Sequence, residues 1–100
     1  MSRYQFTPQA VEDLFEIWSH IAGDDPDAAN RVEDAVHAAC TFLVETPRAG
    51  SVREDLTALP LRFWLVKPYR SYWVVYDPET MPLRVIRIIH AARNIPQTLK

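Results

Sequence analysis

Apolar residues recur at helical spacing along the first half of the chain and in short, nearly continuous runs along the second, which divides it into six elements. "RYQF", residues 3 to 6, is short, aromatic and followed by a break, so it reads as a first strand. In "TPQAVEDLFEIWSHIA" Thr7 takes the N-cap and Pro8 the first helical position, while Glu12 and Asp13 stand early, where the helix dipole favours acids. Val11, Leu14, Phe15, Trp18, Ile21 and Ala22 then form one stripe, the apolar side of an amphipathic helix. Gly23 ends that helix, Asp25 and Pro26 cap and start a second, and Pro47 prevents it from continuing. The second stripe is Ala29, Val32, Val36, Ala39 and Leu43. Helices joined by so few residues fold back on each other as an antiparallel hairpin.

From "RAGSVREDLTALP" onward the pattern changes to loop and then to strands. "LRFWLVK", "YRSYWVVYD" and "PLRVIRIIH" are β-branched and aromatic, separated by Pro68 and by the turn "DPETMP", which predicts a three-stranded antiparallel meander. Several of these strands are apolar on both faces, so alternation does not say which side meets the helices, and a second apolar surface requires a cover. The expected architecture is α+β: strand, helix, helix, strand, strand, strand, an antiparallel sheet with the two-helix hairpin packed on one face. "NIPQTLK" follows as a short turn or helical tail.

Composition narrows the possibilities further. One hundred residues with 48% hydrophobic and 24% charged side chains and only two glycines describe one ordered domain spanning residues 1 to 100. No apolar run approaches the ~18 residues of a membrane span, and the N-terminus lacks the core of a secretory signal, so a cytoplasmic protein without membrane association is expected. The single cysteine, Cys40, lies in "HAACTFL" as a buried, inert thiol without an internal disulfide partner. No Cys/His cluster has metal-ligand spacing, and there is no Gly-rich phosphate loop or nucleophile elbow, so neither a metal nor another cofactor is expected.

The net charge of −2 hides a division. Residues 1 to 61 carry four basic side chains against eleven acidic ones, whereas residues 62 to 100 carry seven basic against two acidic. In "RVIRIIHAARNI" three arginines and a histidine interrupt an apolar run. Arg62, Arg70, Arg84, Arg87 and Arg93 suit phosphates or carboxylates, or else internal ion pairs with the acidic helices. If the last strand is regular, Arg84 and His90 share one face while Arg87 and Arg93 share the other. His90 suits either a structural hydrogen bond or general acid catalysis. His20 and His37 fall on the polar sides of their helices and are expected to be exposed and silent. The strand aromatics read as core more than as base-stacking platforms.

The order and spacing of "FTPQAVEDLFEIWSHIA", "PDAANRVEDAV", "ETPRAGSVREDL", "LRFWLVKPYRSYWVVYDPE" and "LRVIRIIHAAR" resemble the RelE/ParE superfamily of toxins from type II toxin–antitoxin pairs, closest to the ParE-like plasmid-stabilisation branch. Ala91 stands where the family usually has glycine. The resemblance implies the same element order, and a cognate antitoxin whose C-terminal segment wraps the toxin, giving a homodimer or a toxin–antitoxin hetero-oligomer. It also implies one of two actions. ParE-like members are associated with poisoning DNA gyrase, which would make Arg62, Tyr72, Arg87, His90 and Arg93 contacts for target or antitoxin. RelE-like members are ribosome-dependent mRNA endoribonucleases, which would make His90 a general acid and Arg87 or Arg62 a phosphate ligand on the ribosome and its message. The net negative charge and the absence of an evident base on the middle strands favour the gyrase-directed, non-enzymatic branch.

Overall fold

The Thr7 hydroxyl accepts the Ala10 N–H at 3.1 Å and donates to the Ile86 carbonyl at 2.8 Å, so one side chain starts a helix and ties it to a strand. This computed structural model describes residues 3–69 and 71–92. β1 (Tyr4–Phe6) leads through Thr7 directly into α1 (Pro8–Ala22), and Asp25 caps α2 (Pro26–Glu45) by accepting the N–H groups of Asp27 and Ala28. The strands that follow are β2 (Ser51–Val52), β3 (Arg62–Leu65), β4 (Tyr72–Asp77) and β5 (Leu83–His90). Caps, prolines and Gly23 stand where the sequence placed them.

The sheet runs β1-β5-β4-β3-β2, and β3, β4 and β5 form the expected antiparallel meander. Two features depart from the expectation. β1 pairs parallel to β5, so the sheet is mixed, and β2 arises in a segment that reads as loop. A three-residue strand carries no orientation signal in its alternation, and a two-residue strand carries no period at all. β2 is held instead by contacts distant in sequence. The Tyr76 hydroxyl, on β4, donates to the Pro47 carbonyl at 2.6 Å and accepts the Gly50 N–H at 2.9 Å.

The hairpin covers one face of the sheet. All five residues of the α2 stripe are buried, and Val36, Ala39 and Leu43, with Cys40, join Val74, Tyr76, Val85 and Ile88 in one core cluster. Leu43, fully inaccessible, is worth about 1.5–3 kcal/mol of burial by itself. α1 differs from its stripe. Ala10, Asp13 and Leu14 point inward, while Val11 and Phe15 are 56% and 66% exposed. An acid has taken an inward position, and the helix is turned accordingly. The other face of the sheet holds a smaller cluster of Phe63, Trp73, Val75, Ile86 and Ile89, on which Leu56 and Leu61 fold down from the segment between β2 and β3. That segment supplies the cover which the two-sided apolar strands required. Among the described residues no helix is long and apolar enough to cross a membrane.

Candidate binding surface

The inward acid on α1 finds its reason on β5. Asp13 receives Nε and Nη2 of Arg87 at 2.7 and 2.9 Å, the backbone N–H of Ile88 at 3.1 Å and the amide of Gln9 at 3.3 Å. β1 pairs only with residues 83 to 85, so beyond Val85 that side of β5 lies beside α1, where one carboxylate satisfies a strand N–H and a guanidinium together. The Asp13 hydrogen bonds hold the Arg87 guanidinium above its ordinary pKa, against the opposing effect of burial, with the negative charges of Asp13 and Glu16 adding to the rise. Arg87 therefore takes the internal ion pair with an acidic helix, one of the two roles its sequence allowed.

A β-bulge accompanies this arrangement. Val75 faces Arg87 and Tyr76 faces Val85, leaving Ile86 as the extra residue on β5. The phase of the strand changes there. Arg84 lies opposite Asp77, while His90 lies opposite Tyr72, which follows the helix-facing Val74 and Tyr76 at period two. The regular-strand expectation that Arg84 and His90 share a face is thus overturned by one inserted residue.

Tyr72 and His90 are brought together as a direct cross-strand pair, their rings edge to face with centroids 5.4 Å apart. His90 Nδ1 accepts the Ala92 N–H at 3.2 Å, which in a neutral ring places the proton on Nε2. Arg62 is not with them. It pairs with Tyr76, four residues from Tyr72 along β4, about 13 Å away at a strand's rise per residue. There its Nη1 donates to the carbonyls of Gly50 at 2.7 Å and Arg48 at 3.2 Å. Arg93 and Arg70 lie outside the described residues.

Of the expected residues that are described, Arg62 and the Tyr72–His90 pair thus occupy two separate ends of the sheet, with Arg87 turned to the edge of β5. His90 stands as a half-buried hydrogen-bonding histidine beside a tyrosine. A phosphate ligand needs a guanidinium with free donors, and those of Arg87 and Arg62 are partly engaged in holding the fold. Among the described residues no group of three or more His, Cys, Asp or Glu is arranged to hold a metal.

Some residues that shape the surface were not expected from sequence. His37 is half-buried rather than exposed: Tyr4 Oη lies 2.7 Å from its Nδ1, and its ring stacks on Phe6 at 5.5 Å and 5°. The helical period places it at the boundary of the polar side, and only the position of β1 draws it in. Trp64 is packed by Phe42 at 5.1 Å and covered by the Lys67 ammonium at 5.2 Å, an aromatic and cationic spot at the edge of the sheet.

The profile of a family described as the ParE toxin of the type II toxin–antitoxin system, parDE, matches residues 4–95. A Sinorhizobium fredii (strain NGR234) protein named as a candidate toxin, Y4kP, is 31% identical over 103 residues, spanning 97% of this chain and 96% of that one. A solved chain described as the chromosomal ParDE TA system from P. aeruginosa superposes with a TM-score of 0.70 at 17% identity, covering 87% of this chain and 92% of the other. At that identity the last likeness shows the fold alone, and it is the α+β fold described above.

Proposed function

The chain belongs to the ParE toxin family of type II toxin–antitoxin systems, and we propose that it acts by binding and poisoning DNA gyrase and that a cognate antitoxin neutralises it. The observation that carries the choice of binding over catalysis is the engagement of Arg87. RNA cleavage needs cationic donors for the charge developing on phosphorus, beside an acid and a base. Arg87, the arginine nearest His90 in the chain among the described residues, has two guanidinium donors committed to Asp13, and Arg62 stands at the other end of the sheet. Tyr72, His90 and the following segment with Arg93 are then contacts for the target or the antitoxin, in a C-terminal part of locally positive charge.

The test is to induce the protein alone in a bacterial host and follow DNA and protein synthesis by pulse labelling over the first minutes. DNA synthesis should stop early while translation continues. Translation stopping first would overturn the gyrase reading in favour of a ribosome-dependent endoribonuclease. In that case His90→Ala would abolish mRNA cleavage on purified ribosomes without disturbing antitoxin binding.

A further inference from the structure

Two cavities flank the turn between β4 and β5, about 460 and 420 Å³ in volume, and Thr80, Met81 and Pro82 line both. The larger lies between that turn and the end of α2, where Val44, Pro47, Pro78 and Leu83 complete its apolar wall. Each is of a size that holds a small molecule. Leu83 begins β5 and His90 ends it, so this end of the strand is roughly 20 Å from the Tyr72–His90 pair.

The polar groups of the larger cavity are already engaged. Its three prolines bring no N–H. Arg3 is ion-paired with Glu45 and Glu79 with Arg48, so each charged residue that lines the cavity is matched by one outside it. Thr80 Oγ1 accepts the Arg84 N–H at 2.8 Å and donates to the Asp77 carbonyl at 3.3 Å. The Leu83 N–H donates to the Arg3 carbonyl at 3.0 Å, and the Pro47 carbonyl accepts the Tyr76 hydroxyl. What the cavity offers a ligand is therefore apolar wall. Met81 stands in that wall 97% exposed, an unbranched thioether of the kind that packs on aromatic rings.

The smaller cavity differs by one charge. Arg84 lines it, is exposed, and makes no ion pair among the described residues. Asp77, its cross-strand neighbour, accepts the Glu79 N–H at 2.9 Å instead. An unpaired guanidinium beside an apolar cavity is complementary to a carboxylate carried on an apolar body.

We propose that the β4–β5 turn holds a binding site for a small aromatic carboxylate, its ring against Pro47, Pro78 and Met81 and its carboxylate on Arg84. Met81, flexible and shared by the two cavities, lets one ligand reach from the first into the second. The site stands apart from the contacts proposed at the far end of β5, and it does not depend on which target the chain poisons.

The test uses the intact chain, its methionines labelled at the methyl carbon, and three probes that share an indole ring: indole-3-propionate, indole and tryptamine. Met1 and Met81 are the two methionines, and Met81→Gln assigns their signals. Affinity is read from the probes' own NMR signals at low and high salt. Indole-3-propionate should bind at least about threefold more tightly than indole, and tryptamine least of all, with the advantage of the anion falling as salt rises. It should also shift the Met81 methyl. Arg84→Gln should bring the anion down to the affinity of indole, and Met81→Gln should weaken both, each with an unchanged circular dichroism spectrum. Equal affinity for the three probes, binding by none, a Met81 methyl that stays in place or anion binding unaffected by Arg84→Gln would overturn the proposal. A Met81 methyl that moves when the chain alone is diluted would assign this face to a second copy and overturn it as well.

Discussion

Asp13 and Arg87, 74 positions apart, form a two-point ion pair whose carboxylate also receives the Ile88 N–H. With side chains 8% and 15% exposed, the pair is largely withdrawn from water, and it locks α1 against the strand beside it. Burying charges is costly, so such a pair adds little net stability over an apolar one, but breaking it leaves an uncompensated charge.

Asp13→Ala should therefore lower unfolding stability by roughly 3–5 kcal/mol, seen as a shift of the urea midpoint at unchanged slope. Asp13→Leu combined with Arg87→Met should recover part of that loss, because the Ile88 N–H still lacks its acceptor. A single-variant loss below about 1 kcal/mol would mean that the pair behaves like a solvated surface contact.

Tyr76→Phe removes the hydroxyl that joins Pro47 to Gly50 and should cost about 1–3 kcal/mol, since a buried N–H is left unsatisfied. Gly50→Ala tests the same contact from the other side. A Cβ there would lie 2.6 Å from Tyr76 Oη and 3.1 Å from the Phe63 carbonyl oxygen, so the variant should be destabilised by about 1–3 kcal/mol of overpacking, read from thermal unfolding.

Burial raises the Tyr76 phenol above its ordinary 10.0, against the Gly50 hydrogen bond and the charge of Arg62, which lower it. A folded-state pKa above the unfolded one gives stability that is complete below pH 10 and is lost as pH rises through the folded value. Tyr4 is raised in the same direction, again chiefly by burial. Alkaline titration of stability should thus fall above pH 10, and Tyr76→Phe should fall less steeply.

Burial also pushes the Cys40 thiol up to about 12. At pH 8 the native protein should react with a thiol-specific chromogenic reagent only as fast as it opens, and denaturant should raise the rate in step with unfolding. Rapid labelling without denaturant would place Cys40 at the surface.

Ending the chain after Ala92 leaves every described strand in place, including the Ala91 N–H that donates to the Ser71 carbonyl at 2.7 Å. Such a truncation should keep the native circular dichroism spectrum and lose toxicity on induction, because it removes Arg93 and the segment after it, which the proposed function makes contacts. A toxic truncation would confine the target contact to residues up to Ala92.

What the sequence made legible was local. Thr7, Pro8, Asp25 and Pro26 fix helix starts through atoms a few residues away, and the α2 stripe follows from period alone. What it hid depends on distant partners. Asp13 looked like an acid placed early in its helix to suit the dipole, and only the N–H of Ile88 and the guanidinium of Arg87 draw it inward, turning Val11 and Phe15 to the surface. The bulge at Ile86 likewise leaves no mark in the alternation, yet it separates Arg84 from His90. Of the expected contact residues, Tyr72 and His90 meet across two neighbouring strands, whereas Arg62 belongs to the opposite end of the sheet.

The strand order has a consequence for synthesis. β5 is the last strand among the described residues, yet it lies between β1 and β4, so the first strand made has no strand neighbour until β5 leaves the ribosome. A nascent chain stalled before Leu83 lacks an interior strand, together with Val85, Ile88 and Arg87, and leaves α1 only α2 and β1 to pack on. Prematurely terminated copies should therefore be unfolded and harmless, so that the hazard of making this protein begins only when nearly all of it has been translated.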